Sequence, residues 1–395
     1  MSNLKPQLLM IHYGELTLKG KNRRYFINTL ARNIKHALKS FTKLTYNVRY
    51  DHTYINLHGE DEAPILEILS EIAGIYAISP VIKVDADLEL MVEAALNIAK
   101  AKNAKTFKVE TKRSDKSYPY NSDYINRYLA GPILKNTDYK VDVHNPELLL
   151  KLIIKNDGAY FLGDQTKGVG GLPLGTGGKV LMLLSGGIDS AVACYELMRR
   201  GIEIEAIHFA SPPYTSTGVI DKITDLLRVL NKFQPRIKLH IMHFTDLQLD
   251  IFEHAPEGYP ITIMRRMFYR IATKLAKSKR IMALATGESL GQVSSQTLNS
   301  LNVINEVTTL PVIRPLIVFD KQKIINKAVD LGTYEISIRP FEDACTIFAP
   351  INPKTAPKLK VVRNSESKWD YESQIETILN TYKTLIIEEE DESIF

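Results

Sequence analysis

Cysteine is scarce in this chain: Cys194 and Cys345 are the two cysteines among its 395 residues. Two thiols cannot build a disulfide framework, and they cannot supply the four sulfur ligands of a structural zinc site. The N-terminus lacks the apolar core of a signal peptide, and no apolar run approaches the roughly 20 residues that a membrane span needs. These absences favour a cytoplasmic protein without a membrane partner and without a metal site of its own.

Acidic residues are scarce at one end of the chain. Residues 1–50 contain Glu15 as their single acid among many lysines and arginines, and a second basic run covers 100–116. A basic half favours a polyanionic partner, most simply nucleic acid, although a solvated basic face would have the same composition. A run of acidic residues over 388–392, near the C-terminus, is interpreted as a solubilising end.

The pattern of apolar residues predicts a chain of several domains. The first 85 residues follow a β-α-β-β-α-β order, which is typical of a small ferredoxin-like α+β unit. Residues 168–178 hold six glycines in eleven positions, a density that marks a boundary. From Lys179 onward strand and helix patterns alternate, which predicts a parallel sheet with helices on both faces. A last amphipathic helix is predicted over 370–386.

The most informative segment is Ser185-Gly186-Gly187-Ile188-Asp189-Ser190, which joins a strand pattern to a helix pattern. Its glycines let the backbone approach a phosphate, and the helix start presents N–H groups and the positive end of a dipole. No Gly-Lys-Ser/Thr is present, so the segment is not the P-loop of nucleotide motors. It is similar to the pyrophosphate loop of enzymes that split ATP between its α and β phosphates. Asp189 is expected to orient magnesium there.

Weaker candidates lie at the ends of other predicted strands, where parallel sheets bind their ligands. His208 and Phe209 end the second strand and would suit the two sides of an adenine. The stretch 286–289, Thr-Gly-Glu-Ser, forms a second glycine turn after the fourth strand. Taken alone, each residue is more typical of a core or surface position than of a site; taken together, at successive strand ends of one sheet, the two interpretations are equally favoured. The remaining polar candidates are Arg265, Gln296 and Lys321.

Cys345 lies in a polar stretch between Pro340 and Pro350, which predicts a loop. A lone cytosolic cysteine is usually a small buried hydrophobe, and the neighbouring Glu342 and Asp343 disfavour a thiolate. The spacing alone leaves a reactive and a structural role open. Cys194, inside the helix after the glycine loop, is interpreted as structural.

Several stretches, taken in order, resemble the tRNA 4-thiouridine synthetases over essentially all 395 residues. They are 13–20, 113–117 with Asn121, Asn126 and Arg127, 170–190, 264–266, 286–289 and 314–316. The resemblance implies a multidomain α+β and α/β fold. It places an N-terminal ferredoxin-like domain at 1–59, a THUMP RNA-binding domain at 60–165, a glycine-rich linker at 166–178, and a PP-loop domain of the adenine nucleotide α-hydrolase type at 179–395.

The resemblance also implies a reaction. ATP with Mg²⁺ would adenylate O4 of uridine 8 in a tRNA, and a persulfide sulfur would then displace AMP from C4. The sulfur would come from a cysteine desulfurase or from a separate persulfide carrier, and the enzyme would be a homodimer. The implied catalytic residues are Asp189, Lys321 and Cys345. The expected ATP contacts are Leu183, Leu184, Ser185, Gly186, Gly187, Asp189, Ser190, His208, Phe209, Arg265, Gly287 and Gln296. The basic residues expected to contact tRNA are Arg23, Arg24, Arg32, Lys35, Lys112, Arg113, Lys116 and Arg127.

Some members of this family carry a C-terminal rhodanese-like domain whose cysteine bears the persulfide, and we expect this chain to be a short form without it. Cys345 would then carry the persulfide itself or act with a separate donor. A role in thiamine biosynthesis, tied to that domain, is not expected. Two other functions stay open: a small-molecule ATP-pyrophosphatase ligase or amidotransferase, and an RNA-binding protein with a vestigial ATP domain.

Overall fold

The computed structural model describes residues 5–341 and 352–388, and the chain divides into two compact units between Pro173 and Leu174. The strands of the first unit are β1 (Leu8–Tyr13), β2 (Thr45–Val48), β3 (His52–Asn56), β4 (Ile75–Val84), β5 (Thr106–Arg113), β6 (Lys140–Val141), β7 (Leu148–Lys155), β8 (Gly158–Leu162) and β9 (Thr166–Lys167). Its α-helices are α1 (Arg23–Ala37), α2 (Glu62–Ser70), α3 (Leu88–Ala101) and α4 (Ser122–Asn136).

The first unit is built on one nine-stranded sheet with the order β2-β3-β1-β4-β8-β7-β5-β6, in which β9 pairs with β4. The predicted β-α-β-β-α-β order of the first 85 residues is confirmed. The sheet continues through the boundary predicted between residues 59 and 60, because β4 lies between β1 and β8. The position of that boundary stays a prediction.

Amphipathic helices cover this sheet. In α1 the apolar stripe Phe26, Leu30 and Ile34 is buried in a core shared with β1 and β3. Helices α3 and α4 bury a second core against β5 and β7. Their first turns are capped by side chains that accept backbone N–H bonds, Asp87 for α3 and Asn121 for α4. The described residues include no helix long and apolar enough to cross a membrane.

The second unit is a six-stranded sheet between two layers of helices. Its strands are β10 (Lys179–Leu183), β11 (Glu203–Ala210), β12 (Arg236–His243), β13 (Leu284–Thr286), β14 (Val312–Ile313) and β15 (Lys383–Glu388). Its described α-helices are α5 (Ile188–Arg199), α6 (Gly218–Leu230), α7 (Thr245–His254), α8 (Pro260–Ser278), α9 (Leu298–Asn305), α10 (Lys321–Leu331), α11 (Tyr334–Ser337), α12 (Leu359–Glu366) and α13 (Tyr371–Thr381).

The order of this sheet is β14-β13-β10-β11-β12-β15, and its first five strands are parallel, as predicted. Both faces are covered. Val180 and Met182 of β10 pack in a core with α5, α6 and α10, whereas Leu181 packs in a core with α7, α8 and α13. A parallel sheet buried in this way leaves the carboxyl ends of its strands as the place for a ligand.

The predicted helix over 370–386 is wrong at its C-terminal end. Helix α13 ends at Thr381, and the chain then forms β15, antiparallel to β12. The register pairs Leu239 with Leu385 and Ile237 with Ile387, so the last apolar residues extend the sheet instead of the helix. Glu388, placed in a solubilising tail by the sequence, forms an ion pair with Arg236 at 3.0 Å.

Candidate functional site

The glycine loop joins β10 to α5, as the sequence predicts. Two serines shape it: the Ser185 and Ser190 hydroxyl oxygens lie 2.7 Å apart, and the Ser190 hydroxyl accepts the Ser185 backbone N–H at 3.3 Å. The Ser185 hydroxyl also accepts the backbone N–H of Gly187, which caps α5. The loop is therefore folded by its own side chains, and the start of α5 presents its N–H groups to an anion.

A cavity of about 410 Å³ opens at the carboxyl ends of β10, β11 and β13. This volume suits a small-molecule ligand such as a nucleotide. Every expected ATP contact lines the cavity except Gly186 and Gly187, which belong to the loop at its edge. The lining residues are Leu183, Leu184, Ser185, Asp189, Ser190, His208, Phe209, Ile261, Arg265, Phe268, Tyr269, Thr286, Gly287, Glu288, Gln292, Val293, Ser295 and Gln296.

One wall of the cavity is aromatic. The ring of Phe209 stacks on Phe268 with centroids 4.0 Å apart, and Phe244 meets both rings edge-on. His208 is buried, and its Nδ1 lies 3.0 Å from the carbonyl oxygen of Leu184. Such a wall offers a rigid apolar surface for a planar base.

The two glycine turns meet in the middle of the site. A Cβ atom on Gly287 would lie 2.9 Å from the carbonyl carbon of Asp189 and 3.0 Å from Cα of Ser190. The backbone after β13 thus packs directly on the first turn of α5, and only glycine leaves room for that approach.

Asp189 and Lys321, two of the predicted catalytic residues, are in direct contact. Lys321 Nζ donates to Asp189 Oδ1 at 2.8 Å from the start of α10. The other carboxylate oxygen, Oδ2, accepts from Gln292 Nε2 at 2.8 Å. Gln292 could not be predicted from the sequence, because its position in an irregular stretch after β13 carries no pattern that points to the site.

Glu288 is the buried anion of the site, a role that could not be predicted from its place in the second glycine turn. Its carboxylate accepts hydrogen bonds from Thr286 Oγ1 and Arg314 Nε, each at 2.7 Å, and it pairs with Arg265. Arg265 also donates to Ser295 Oγ at 2.9 Å. Glu288 therefore holds Arg265 in one orientation at the wall of the cavity.

Electrostatics keep this buried carboxylate charged. Burial alone would raise the pKa of Glu288, but Arg265 and Arg314 outweigh burial and hold the pKa below its usual range. Burial raises the pKa of Tyr269 to about 12, so its phenol stays protonated and donates to Glu288 Oε2 at 3.3 Å. Glu288 follows Gly287, and Arg314 precedes Pro315, so both residues lie in short motifs that the sequence shows.

The two cysteines differ. Cys194 is fully buried within α5, and burial raises the pKa of its thiol to about 12, which agrees with a structural role. Cys345 lies outside the described residues, and its predicted role stays a prediction.

The predicted tRNA contacts lie on the first unit, and four of them, Arg23, Lys35, Arg113 and Arg127, make side-chain contacts within it. Arg23 lies over the ring of Tyr50, 3.9 Å from its centroid, and donates to the Tyr50 carbonyl. Arg113 donates to the carbonyls of Tyr118 and Tyr120, each at 3.0 Å, and so shapes the turn before α4. The exposed members of the set are Arg24, Arg32, Lys35, Lys112, Lys116 and Arg127, of which Arg127 pairs with Asp123.

A ladder of tyrosines runs from Tyr120, just before α4, to Tyr124 and Tyr128 on that helix, which also carries Arg127. The rings of Tyr120 and Tyr124 stack at 4.7 Å, and those of Tyr124 and Tyr128 stack at 5.8 Å. All three are exposed. Their spacing of four residues is visible in the sequence and is the signal that could have predicted this tyrosine ladder.

Three protein-family models match the chain in order. The ThiI ferredoxin-like domain matches residues 8–79, the THUMP domain matches 85–163, and the family described as thiamine biosynthesis protein (ThiI) matches 175–371.

Relatives and a solved structure match almost the whole chain. The probable tRNA sulfurtransferases of Thermoanaerobacter sp. (strain X514) and of Caldanaerobacter subterraneus subsp. tengcongensis are each 49% identical over 370 residues, which is 93% of this chain and 97% of the relative. A crystal structure of a 4-thiouridine synthetase–RNA complex with bound ATP is 38% identical, with a TM-score of 0.89, and the match covers 97% of this chain and 100% of that one. By its domains, its sequence and its fold, this chain belongs to the ThiI family of tRNA sulfurtransferases.

Proposed function

We propose that this chain is an ATP-dependent tRNA sulfurtransferase that adenylates O4 of uridine 8 and replaces that oxygen by sulfur, giving 4-thiouridine. The observation that carries the proposal is the contact of Asp189 with Lys321 beside the glycine loop, at the mouth of a nucleotide-sized cavity. A similar solved protein, a 4-thiouridine synthetase, binds both ATP and RNA. One protein of this kind therefore binds both a nucleotide and an RNA.

The site suits cleavage of ATP between the α and β phosphates. Uridine O4 would attack the α-phosphorus, and pyrophosphate would leave into the cradle of N–H groups at Ser185–Ser190, with Lys321 and Arg265 as nearby cations. Mg²⁺, when bound, neutralises phosphate oxygens. Among the described residues no cluster of three or more metal-ligating side chains exists, and the carboxylate of Asp189 with the phosphates of ATP fits the way this ion is usually held.

The second step needs sulfur at C4. The terminal sulfur of a persulfide would attack C4 of the adenylated base, and AMP would leave, because adenylation turns a poor leaving oxygen into a good one. The base would then be joined to its donor through an S–S bond. A second thiol would attack the donor's sulfur in that bond, which would release 4-thiouridine and leave a disulfide for an external thiol reductant to reduce. We assign a part in this transfer to Cys345, with a cysteine desulfurase or a separate persulfide carrier as donor. The reducing cytoplasm that the low cysteine content favours would keep such a thiol available.

The first unit would bind the tRNA. Its exposed basic side chains would contact phosphates, and the tyrosine ladder of Tyr120, Tyr124 and Tyr128 would stack unpaired bases.

We also propose a homodimer, because the family resemblance implies one tRNA that contacts both subunits. Light scattering of the purified chain tests that point: a monomer in solution, with and without tRNA, would contradict it.

One assay tests the reaction. Purified protein is mixed with ATP, unmodified tRNA and a sulfide source, and 4-thiouridine is read from its near-ultraviolet absorbance. The wild type should form product and Asp189→Ala should not. Absence of product with the wild type, or full product with the variant, would refute the proposal. A small-molecule ligase would instead release pyrophosphate without tRNA, and a vestigial ATP domain would leave tRNA binding as the sole activity.

The sulfur route is tested separately. With a persulfide-charged desulfurase, Cys345→Ser should abolish turnover. With free sulfide the same variant should remain active, because sulfide can attack the adenylated base directly. Retained activity with the protein donor would remove Cys345 from the mechanism.

A further inference from the structure

We propose that Lys222 is a positioning residue that fixes the chain at Arg339–Phe341 beside the phosphate-binding loop. The inference rests on the proposed sulfurtransferase function, for which it supplies a link between the ATP site and the sulfur-carrying part of the chain. Neither the motifs of the family resemblance nor the lining of the cavity includes this lysine. Its side chain is buried although it carries an ammonium group.

The Lys222 ammonium is placed by two backbone carbonyls. Lys222 Nζ donates to the carbonyl oxygen of Arg339 at 3.1 Å and to that of Phe341 at 3.3 Å. Burying an ammonium is costly unless oxygen acceptors surround it. A lysine committed in this way therefore holds the backbone of Arg339–Phe341 at a defined place.

Two more contacts on the same face of α6 hold the same three residues. Gly218 lies one turn before Lys222, and a Cβ there would be 2.5 Å from the ring of Phe341. Asp225 lies one turn after Lys222 and forms an ion pair with Arg339. Residues 218, 222 and 225 follow the helical spacing of one face. Together they make a clasp, the α6 clasp, on the segment 339–341.

The α6 clasp also contacts the phosphate-binding loop. A Cβ on Gly186 would lie 3.2 Å from Cδ and Cε of Lys222 and 3.6 Å from its Nζ. The lysine stem thus packs on the loop while its ammonium holds the segment 339–341. Lys222 therefore contacts the phosphate-binding loop and the segment 339–341 at the same time.

The short stretch of chain between Phe341 and Cys345 links the α6 clasp to sulfur transfer. Cys345 follows Phe341 by four residues, and four residues reach at most about 14 Å. Phe341 therefore sets how far the thiol can lie from the phosphate loop. Loss of Lys222 should leave ATP chemistry in place and impair the step that depends on the position of Cys345.

The test compares two sulfur sources in the full chain. Lys222→Met keeps the stem but removes the ammonium donors. With a persulfide-charged cysteine desulfurase as donor, the rate of 4-thiouridine formation should fall roughly 10- to 100-fold, the size expected for a misplaced reacting group. With sodium sulfide as donor, the rate and the release of pyrophosphate should stay close to wild type. Lys232→Met, an exposed lysine just after α6, is the matched control and should match wild type with both sources.

Gly218→Ala and Asp225→Asn test the α6 clasp without touching Lys222, and both should reproduce the donor-specific loss. These variants also decide the matter if Lys222→Met does not fold. Equal losses with both sulfur sources, or no loss with either, would overturn the proposal. Failure of the proposed function is read from the wild type alone, as absence of product from both sources.

Discussion

At the residue scale, Gly287 shows how close packing of backbone against backbone builds the site. A methyl group at this position would collide with the carbonyl carbon of Asp189 and with Cα of Ser190, and neither of these backbone atoms can rotate away. We expect Gly287→Ala to strain the start of α5 by about 1–3 kcal/mol and to weaken ATP binding. Calorimetric titration with ATP measures the effect. Gly131→Ala is the control, because a Cβ there meets nothing within 4 Å, and it should bind ATP like wild type.

Glu288 is the second residue whose removal should be felt in ATP binding. Glu288→Gln would leave Arg265 and Arg314 without their shared carboxylate in a buried place. Loss of one partner of a buried ion pair costs about 3–5 kcal/mol of unfolding free energy. Urea denaturation measures that loss and an ATP titration measures the affinity. Glu335→Gln, an exposed glutamate of α11, should change neither, and equal behaviour of the two variants would contradict the role of Glu288.

Residues of this site differ in how visible they are in the sequence. The glycine loop and Gly287 could be predicted because a tight turn at a strand end needs those residue types locally. The contact of Asp189 with Lys321 joins residues 132 apart, so it follows from the fold and could be anticipated only through a family resemblance. Lys222 had no signal in the sequence, since two of its acceptors are backbone carbonyls, which any sequence supplies.

At the scale of elements, one carboxylate connects four strands of the second sheet. Glu205 of β11 lies 3.1 Å from His240 Nε2 of β12 and accepts from Lys179 Nζ of β10 at 3.0 Å. His240 Nδ1 in turn lies 2.9 Å from Thr384 Oγ1 of β15. The hydrogen bond to His240, with the charge of Lys179 and Lys238, lowers the pKa of Glu205 to about 2.

This carboxylate gives the unfolding free energy a pH dependence of known sign. The pKa of Glu205 is depressed in the folded state, so its contribution is present above the ordinary value of about 4.5 and is lost as pH falls toward 2. Glu205→Gln should cost about 3 kcal/mol at pH 7 and progressively less below pH 4.5. Urea denaturation of wild type and variant at several pH values measures this. If the difference in unfolding free energy between wild type and Glu205→Gln does not become smaller at low pH, the charge of the carboxylate is not its cause.

The tyrosine ladder makes α4 an element with a separable function. Tyr124 stacks on both neighbours and is exposed, so Tyr124→Ala should interrupt the ladder with little effect on the fold. Loss of one stacked base costs about 1–3 kcal/mol, which raises the tRNA dissociation constant roughly 5- to 150-fold. Filter binding with tRNA measures it. Leu134→Ala, an exposed apolar residue of the same helix, should bind tRNA normally, and equal weakening by both would contradict the stacking role.

Strand and helix patterns predicted nearly all long elements because amphipathic periodicity reports local burial. The exception, 370–386, shows the limit of that signal. The apolar residues of α13, Ile375 and Ile378, follow helical spacing, and Tyr382 and Leu385 extend that spacing by chance. Pairing with β12, far away in sequence, decides the outcome, and no local pattern contains it.

At the scale of the whole molecule, charge and aromatic stacking should both contribute to tRNA binding. Only the contribution of charge should depend on the salt concentration, so a salt titration separates the two. The net charge of +5 is modest, but exposed basic residues of the first unit concentrate it where RNA would bind. Each phosphate contact releases counterions, so neutralising one should lower the slope of log affinity against log salt by about 1. Arg24, Arg32 and Lys116 are exposed and form no ion pair among the described residues, and we choose them to test such contacts.

We therefore expect the triple variant Arg24→Gln, Arg32→Gln, Lys116→Gln to bind tRNA more weakly and with a salt slope smaller by about 3, while its ATP affinity is unchanged. Tyr124→Ala should also bind more weakly but with the wild-type slope, because stacking releases no counterions. Binding isotherms at four or more salt concentrations measure both slopes. An unchanged slope in the triple variant would place the phosphate contacts elsewhere on the molecule. A reduced slope in Tyr124→Ala would mean that the tyrosine ladder acts by orienting basic side chains, since an intact stacking platform alone has no charge to contribute.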